Sequence, residues 1–136
     1  MKQFFYITIL TTLLITGFAY AGAPVAETVV KPVIEISVKE VQQMLDKKAG
    51  NLAVLDANNA DARADAGVVP GAILLTSYNQ YALTELPKDK NKTLVFYCYN
   101  SYCQASHLAA ERAIAAGYKD SRVMKEGIVG WNAAKL

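Results

Sequence analysis

Cysteine and histidine are scarce in this chain of 136 residues, which has two of the first and one of the second. A closed structural zinc site takes four ligands, which come mainly from these two residue types. Three such residues, without a second cysteine pair, cannot supply them. The sequence therefore excludes a zinc-finger type of site, and we predict no bound metal.

A large excess of charge of one sign is lacking as well. Fourteen Lys and Arg residues against twelve Asp and Glu leave a formal net charge of +2, and the basic residues are spread along the chain. Nucleic-acid binding depends on clustered Lys and Arg that neutralise phosphates. We therefore expect no nucleic-acid partner. The low charge and ample apolar content favour one globular domain over a disordered chain.

The N-terminus carries an uncharged run over residues 4–21, preceded by Lys2 and closed by Ala19-Tyr20-Ala21. A positive start, an apolar middle and small residues before the cleavage point are typical of a secretory signal peptide. We predict a signal peptide over residues 1–21, an exported periplasmic or secreted protein, and no stable membrane insertion after cleavage. An uncleaved membrane anchor is the alternative, since the run is barely long enough to span a bilayer.

The rest of the chain alternates between strand and helix patterns after a flexible segment over residues 22–32. Ser37 and Glu40 form a capping box before a first helix, and a second helix is predicted over about residues 103–116. Residues 58–66 are polar and rich in alanine, and we interpret them as loop. Alternation of this kind predicts an α/β domain over residues 33–136, with a small central parallel β-sheet and helices on both faces. Short apolar runs mark the strands, at residues 33–36, 52–55, 73–75, 93–97 and 122–124.

Cys98 follows the strongest strand pattern, at residues 93–97. Ligands of open α/β sheets collect at the carboxyl ends of strands, and a loop leading into a helix N-terminus favours a thiolate. We therefore expect Cys98 to have a lowered pKa. The alternative is a cysteine that only packs as a small apolar residue. The polar sequence that follows it, residues 99–102, favours an accessible site.

Several short motifs follow one another over nearly all of the chain after residue 33. They are Leu55-Asp56, Gly67-Val68-Val69-Pro70-Gly71-Ala72, Val95-Phe96-Tyr97-Cys98, Ala109-Ala110, Gly117-Tyr118 and Glu126-Gly127-Ile128-Val129-Gly130-Trp131. Their order and spacing resemble the landmarks of rhodanese-like domains. The resemblance implies a rhodanese-like fold and a sulfurtransferase that needs no metal or organic cofactor.

The implied mechanism places a persulfide on Cys98. Its thiolate would take a sulfane sulfur from a donor such as thiosulfate and pass it to a thiophilic acceptor. Asp56 would orient the neighbouring loop. The expected partners are therefore a small sulfur-containing donor, a thiol acceptor and a protein thiol reductant. Backbone amides from about Tyr99 to Gln104 would stabilise the anionic sulfur. The side chains assigned to the active-site loop are those of Tyr99, Asn100, Ser101, Tyr102 and Gln104.

The departures from the family pattern concern positive charge. Members often carry Arg or Lys in the active loop and an Arg soon after the strand-ending Asp, where this chain has Asn58. No basic residue lies between Cys98 and Gln104. Binding of doubly charged thiosulfate should therefore be weakened. Phosphatase chemistry, which needs a loop arginine, is not expected, because Gln104 cannot hold a phosphate oxygen as a guanidinium does.

Cys103 adds a second thiol, five residues beyond Cys98 in a Cys-x4-Cys spacing. In an oxidising compartment two near thiols tend to pair, so they could form a thiol–disulfide or persulfide-resolving pair. A static disulfide or a merely packed Cys103 is the alternative, and a catalytically inactive binding module is a third. A disulfide requires Cα atoms no more than about 7 Å apart. The sequence leaves these readings open.

Overall fold

The structure is a computed structural model that describes residues 31–47 and 50–135. The predicted signal peptide at residues 1–21 and nearly all of the segment at 22–32 lie outside the described residues. Within the described part, none of the helices is long and apolar enough to cross a membrane. The elements are β1 (Ile34–Ile36), α1 (Val38–Asp46), β2 (Leu52–Asp56), α2 (Ala60–Ala66), β3 (Ile73–Leu74), β4 (Thr93–Tyr97), α3 (Ala105–Ala115), β5 (Asp120–Met124) and α4 (Gly127–Ala133).

The five strands form one sheet in the order β1-β5-β4-β2-β3, and every pair is parallel. β4 lies at the centre, where Val95 is in register with Val54 of β2 and with Arg122 of β5. Because all strands run the same way, their carboxyl ends meet at one edge of the sheet. The predicted parallel α/β architecture is confirmed.

Side chains of the central strand alternate between two hydrophobic layers. Leu94 and Phe96 pack in the layer that includes the buried alanines of α3. Val95 and Tyr97 pack in the opposite layer, which includes buried residues of α1 and α4. Both faces of β4 are thus covered, which explains why its sequence is a continuous apolar run. The prediction of helices on both faces is confirmed.

The segment at residues 58–66, interpreted as loop from the sequence, contains α2. Asn59 caps this helix, since its side-chain oxygen accepts a hydrogen bond from the Ala62 amide at 2.9 Å. Alanine has the highest helix propensity, so a short helix forms without a strong apolar stripe. Gly67 ends it with a φ of 75°. The loop prediction for these residues is therefore wrong.

Candidate functional site at the carboxyl end of the central strand

Cys98 lies directly after β4, and only 1% of it is exposed. The first turn of α4 fixes the backbone around it. The Ile128 amide donates to the Cys98 carbonyl at 2.9 Å, and the Val129 amide donates to the Tyr99 carbonyl at 3.0 Å. Amides in the first turn of a helix have no partner inside the helix. Here they hold the start of the loop at residues 98–104, the cysteine loop, against α4.

This contact depends on Gly127, which begins α4 with a φ of 63°. A Cβ at this position would lie 2.6 Å from the carbonyl oxygens of both Cys98 and Tyr99. Real Cβ atoms essentially never approach backbone so closely. A residue with no side chain is therefore required where α4 meets the cysteine loop.

The loop beyond Tyr99 folds into a tight turn. The Asn100 side chain accepts a hydrogen bond from the Tyr102 amide at 3.0 Å, and the Asn100 carbonyl accepts one from the Cys103 amide at 3.1 Å. Tyr102 stands at the tip of the turn with 90% of its surface exposed. Two of the amides that were expected to face an anionic sulfur are thus engaged within the turn.

The turn brings Cys103 back onto Cys98. The Cys98 thiol donates to the Cys103 carbonyl at 3.1 Å, and its sulfur lies 3.2 Å from the Ser106 hydroxyl. Burial and hydrogen bonding by the Cys103 side chain raise the pKa of the Cys98 thiol to about 11, although hydrogen bonds from Ser106 act in the opposite direction. The expectation of a lowered pKa is therefore wrong. The physical reason is that burial disfavours the charged thiolate, and the thiol also donates a hydrogen bond to the Cys103 carbonyl.

Ser106 is a site residue that sequence reasoning missed. It lies in the first turn of α3 and is 2% exposed. The other buried residues of α3 are Ala109, Ala110 and Ala113. A single hydroxyl on an otherwise apolar helix face is a sequence signal, because a buried hydroxyl needs a hydrogen-bond partner. Here that partner is the Cys98 sulfur.

Asp56 is the last residue of β2, the strand beside β4, and it is fully buried. Its carboxylate accepts from the Asn58 amide at 2.7 Å and from the Tyr97 hydroxyl at 2.8 Å. The Tyr97 oxygen in turn accepts from the Val69 amide at 3.0 Å. Burial raises the pKa of the Tyr97 phenol, which keeps this donor protonated. These contacts join Asp56 to the neighbouring loops and not to the Cys98 sulfur.

The family model for the rhodanese-like domain matches residues 37–134. This chain belongs to the rhodanese-like family. Of the elements in the described residues, the match spans the four α-helices and four of the five strands, with Cys98 at the end of the central strand. A comparison with curated proteins gives no significant match.

Solved structures show the same rhodanese-like fold. A Bacillus halodurans protein is similar with a TM-score of 0.65 and 21% identity, over 75% of this chain and 73% of that one. A Rhodopseudomonas palustris protein described as a possible tyrosine phosphatase has a TM-score of 0.64 and 20% identity, over 76% and 82%. A thiosulfate sulfurtransferase from Pseudomonas aeruginosa has a TM-score of 0.61 and 22% identity, over 76% of this chain and 19% of that one.

Asn58, at the position where the resemblance implied an arginine, is buried. α2 supplies an arginine from a different place. Arg63 donates to the backbone carbonyls of Asp56 at 3.0 Å and Leu75 at 2.9 Å, and its Nε lies 3.3 Å from the Asp56 carboxylate. This guanidinium therefore binds the protein itself and neutralises a buried carboxylate.

An acidic side chain, by contrast, contacts the cysteine loop. The Tyr99 hydroxyl donates to the Asp65 carboxylate at 2.5 Å, and this contact raises the pKa of Tyr99. Ser101 and Gln104 are exposed, and the Gln104 side chain makes no capping bond to α3. Among the described residues, no group of three His, Cys, Asp or Glu could hold a metal ion. The site thus offers two thiols and a hydroxyl, with one carboxylate, that of Asp65, in contact with the loop.

Proposed function

We propose that this protein is a sulfurtransferase that carries a sulfane sulfur as a persulfide on Cys98. The observation that carries the proposal is the position of Cys98 at the carboxyl end of the central strand, with its backbone held by α4 and its sulfur beside Ser106. The similarity in fold to a thiosulfate sulfurtransferase supports this class of activity. The donor would be a small sulfur compound and the acceptor a thiol.

The chemistry begins with loss of the Cys98 proton, which the hydrogen bonds from Ser106 favour. The thiolate then attacks the sulfane sulfur of the donor, whose sulfur–sulfur bond breaks as the leaving group departs with the electron pair. With thiosulfate, the leaving group is sulfite. An acceptor thiolate attacks the outer sulfur of the Cys98 persulfide and regenerates the Cys98 thiolate.

The charges around the loop favour donors with little negative charge. No Lys or Arg occurs from Cys98 to Glu111, and Asp65 contacts Tyr99. A dianion such as thiosulfate would enter without an opposite charge to bind it. We expect a singly charged thiosulfonate, which offers the same sulfane sulfur, to react faster than thiosulfate.

The experiment measures sulfur uptake by intact mass. We would incubate the reduced Cys103→Ser variant, which keeps one thiol, with benzenethiosulfonate or with thiosulfate. The expected result is a gain of one sulfur atom, faster with benzenethiosulfonate. The double variant with Cys98→Ser is the matched control and should gain nothing. Absence of uptake from both donors in Cys103→Ser would refute a persulfide on Cys98.

A thiol–disulfide redox protein is the second candidate, because Cys98 and Cys103 are both free and in contact. This function needs Cys103, whereas sulfur uptake on Cys98 does not. Rapid loss of two hydrogens by the wild-type protein, without any uptake of sulfur by Cys103→Ser, would favour it. A protein thiol reductant would be the partner in either case.

Export is also part of the proposal and depends on residues 1–21. A periplasmic or secreted protein would meet oxidising conditions, in which the reductant becomes essential. The test is the N-terminal sequence of the protein recovered from the exported fraction of its host. We expect it to begin at Gly22, whereas an intact N-terminus in a membrane fraction would indicate an uncleaved anchor.

A further inference from the structure

The two cysteines of the loop differ in exposure. Cys98 is 1% exposed, whereas Cys103 is half-buried. The turn formed by Asn100 returns the chain so that the Cys103 carbonyl lies 3.1 Å from the Cys98 sulfur. The Cys103 backbone therefore lies directly against the Cys98 sulfur.

We propose that Cys103 is the resolving cysteine of this site, which discharges the Cys98 persulfide as hydrogen sulfide and leaves a disulfide between the two residues. The inference rests on the proposed persulfide and adds a second catalytic residue to it. The product would be sulfide, and the final reductant would be a dithiol.

The step balances within the loop. The Cys103 thiolate attacks the inner sulfur of the persulfide, on Cys98, and forms the new sulfur–sulfur bond. The bond between the inner and outer sulfurs breaks, and the outer sulfur leaves with the electron pair as hydrosulfide. The outer sulfur is thereby reduced to the level of sulfide, and Cys103 is oxidised from thiol to disulfide. An external dithiol then supplies two electrons and two protons, which restore both thiols.

Geometry favours Cys103 over an external thiol as the attacking group. An external thiol would have to reach a residue that is 1% exposed, whereas Cys103 already contacts the Cys98 sulfur through its backbone carbonyl. The attack is intramolecular, and a held geometry gives a large advantage over a bimolecular encounter. The Asp65 carboxylate on Tyr99 also opposes the approach of anionic thiols.

The experiment follows the fate of the sulfur in the purified protein. Reduced wild-type protein, Cys103→Ser and Cys103→Ala are loaded with benzenethiosulfonate, which releases sulfinate and no sulfide, and are freed of donor by rapid desalting. Samples quenched in acid at increasing times give the intact mass, and a colorimetric assay gives the sulfide. Thr84→Ala, an exposed substitution outside the loop, is the control.

We expect wild type and Thr84→Ala to lose the added sulfur, to become two hydrogens lighter than the reduced protein and to release one sulfide per chain. Both Cys103 variants should keep the added sulfur and release none. Equal persistence of the persulfide in wild type and in the Cys103 variants would overturn the resolving role while leaving the persulfide carrier intact. Failure of the Cys103 variants to take up sulfur would overturn the persulfide carrier, and the resolving role with it.

Discussion

Replacement of Gly127 by alanine tests whether α4 holds the cysteine loop in place. The new Cβ would lie 2.6 Å from two backbone carbonyl oxygens, and backbone cannot rotate away as a flexible side chain can. A left-handed backbone costs an alanine about 1–2 kcal/mol. Overpacking in a tight site adds about 1–3 kcal/mol. We therefore expect Gly127→Ala to lower the free energy of unfolding by about 2–5 kcal/mol.

Gly71→Ala is the matched control for this substitution. Gly71 also has a positive φ, of 80°, but a Cβ there would meet nothing within 4 Å. Gly71→Ala should lower the free energy of unfolding only by the backbone strain, about 1–2 kcal/mol. The reduced entropy of the unfolded chain is similar in both variants, so it cancels in the comparison.

Urea denaturation measures both variants, and the midpoint and slope together give the free energy of unfolding. Alkylation of Cys98 in the native state gives a second reading, because a displaced α4 would release the loop and expose the sulfur. The reasoning is refuted if Gly127→Ala is no less stable than Gly71→Ala. Unchanged alkylation of Cys98 in a destabilised Gly127→Ala variant would also contradict it, since the contact would then not govern access.

Three further results are expected from the buried polar contacts. Ser106→Ala removes hydrogen bonding that lowers the Cys98 pKa. The alkylation rate of Cys98 should therefore fall, and its pH profile should move to higher pH. An unchanged profile would contradict the contact. Tyr97→Phe removes the hydroxyl that donates to the buried Asp56 carboxylate. It should lower the free energy of unfolding, measured by urea denaturation, by about 2–3 kcal/mol. A decrease of less than about 1 kcal/mol would show that the hydrogen bond contributes little. The folded Cys98 pKa of about 11 exceeds the ordinary value of 9.0, so its contribution to stability is complete below pH 9.0 and is lost as the pH rises through about 11. The urea midpoint of wild type should therefore fall more steeply over that range than the midpoint of Cys98→Ser, and parallel curves would count against the raised pKa.

The elements with strong local signals were predictable from the sequence. β4 occupies residues 93–97 as predicted, because an uninterrupted run of β-branched and aromatic residues suits a strand buried on both faces. The capping box of Ser37 and Glu40 is present at the start of α1, since both of its bonds join residues three apart. In each case the decisive interactions are local or follow from periodicity.

The parts that sequence reasoning missed depend on contacts between distant segments. α2 has no buried residue, so it carries no apolar stripe that would mark it as a helix. The Cys98 pKa depends on the path of the loop, which α4 fixes from about thirty residues further along the chain. The location of the candidate site was predictable from strand order, whereas the electrostatic environment of its sulfur required the packed structure.

The distribution of hydrogen bonds indicates how a buried thiol becomes available. The base of the loop is fixed, because the carbonyls of Cys98 and Tyr99 are bound by α4 amides. The remainder is held by bonds within the turn around Asn100 and by the exposed contact between Tyr99 and Asp65. Exposed contacts of this kind contribute little to stability, so we expect the turn to open at a smaller cost than the base. Opening would remove the Cys103 carbonyl from the Cys98 sulfur and leave the Ser106 hydroxyl, which favours the thiolate. The same movement that admits a donor would therefore also favour the reactive form of the cysteine.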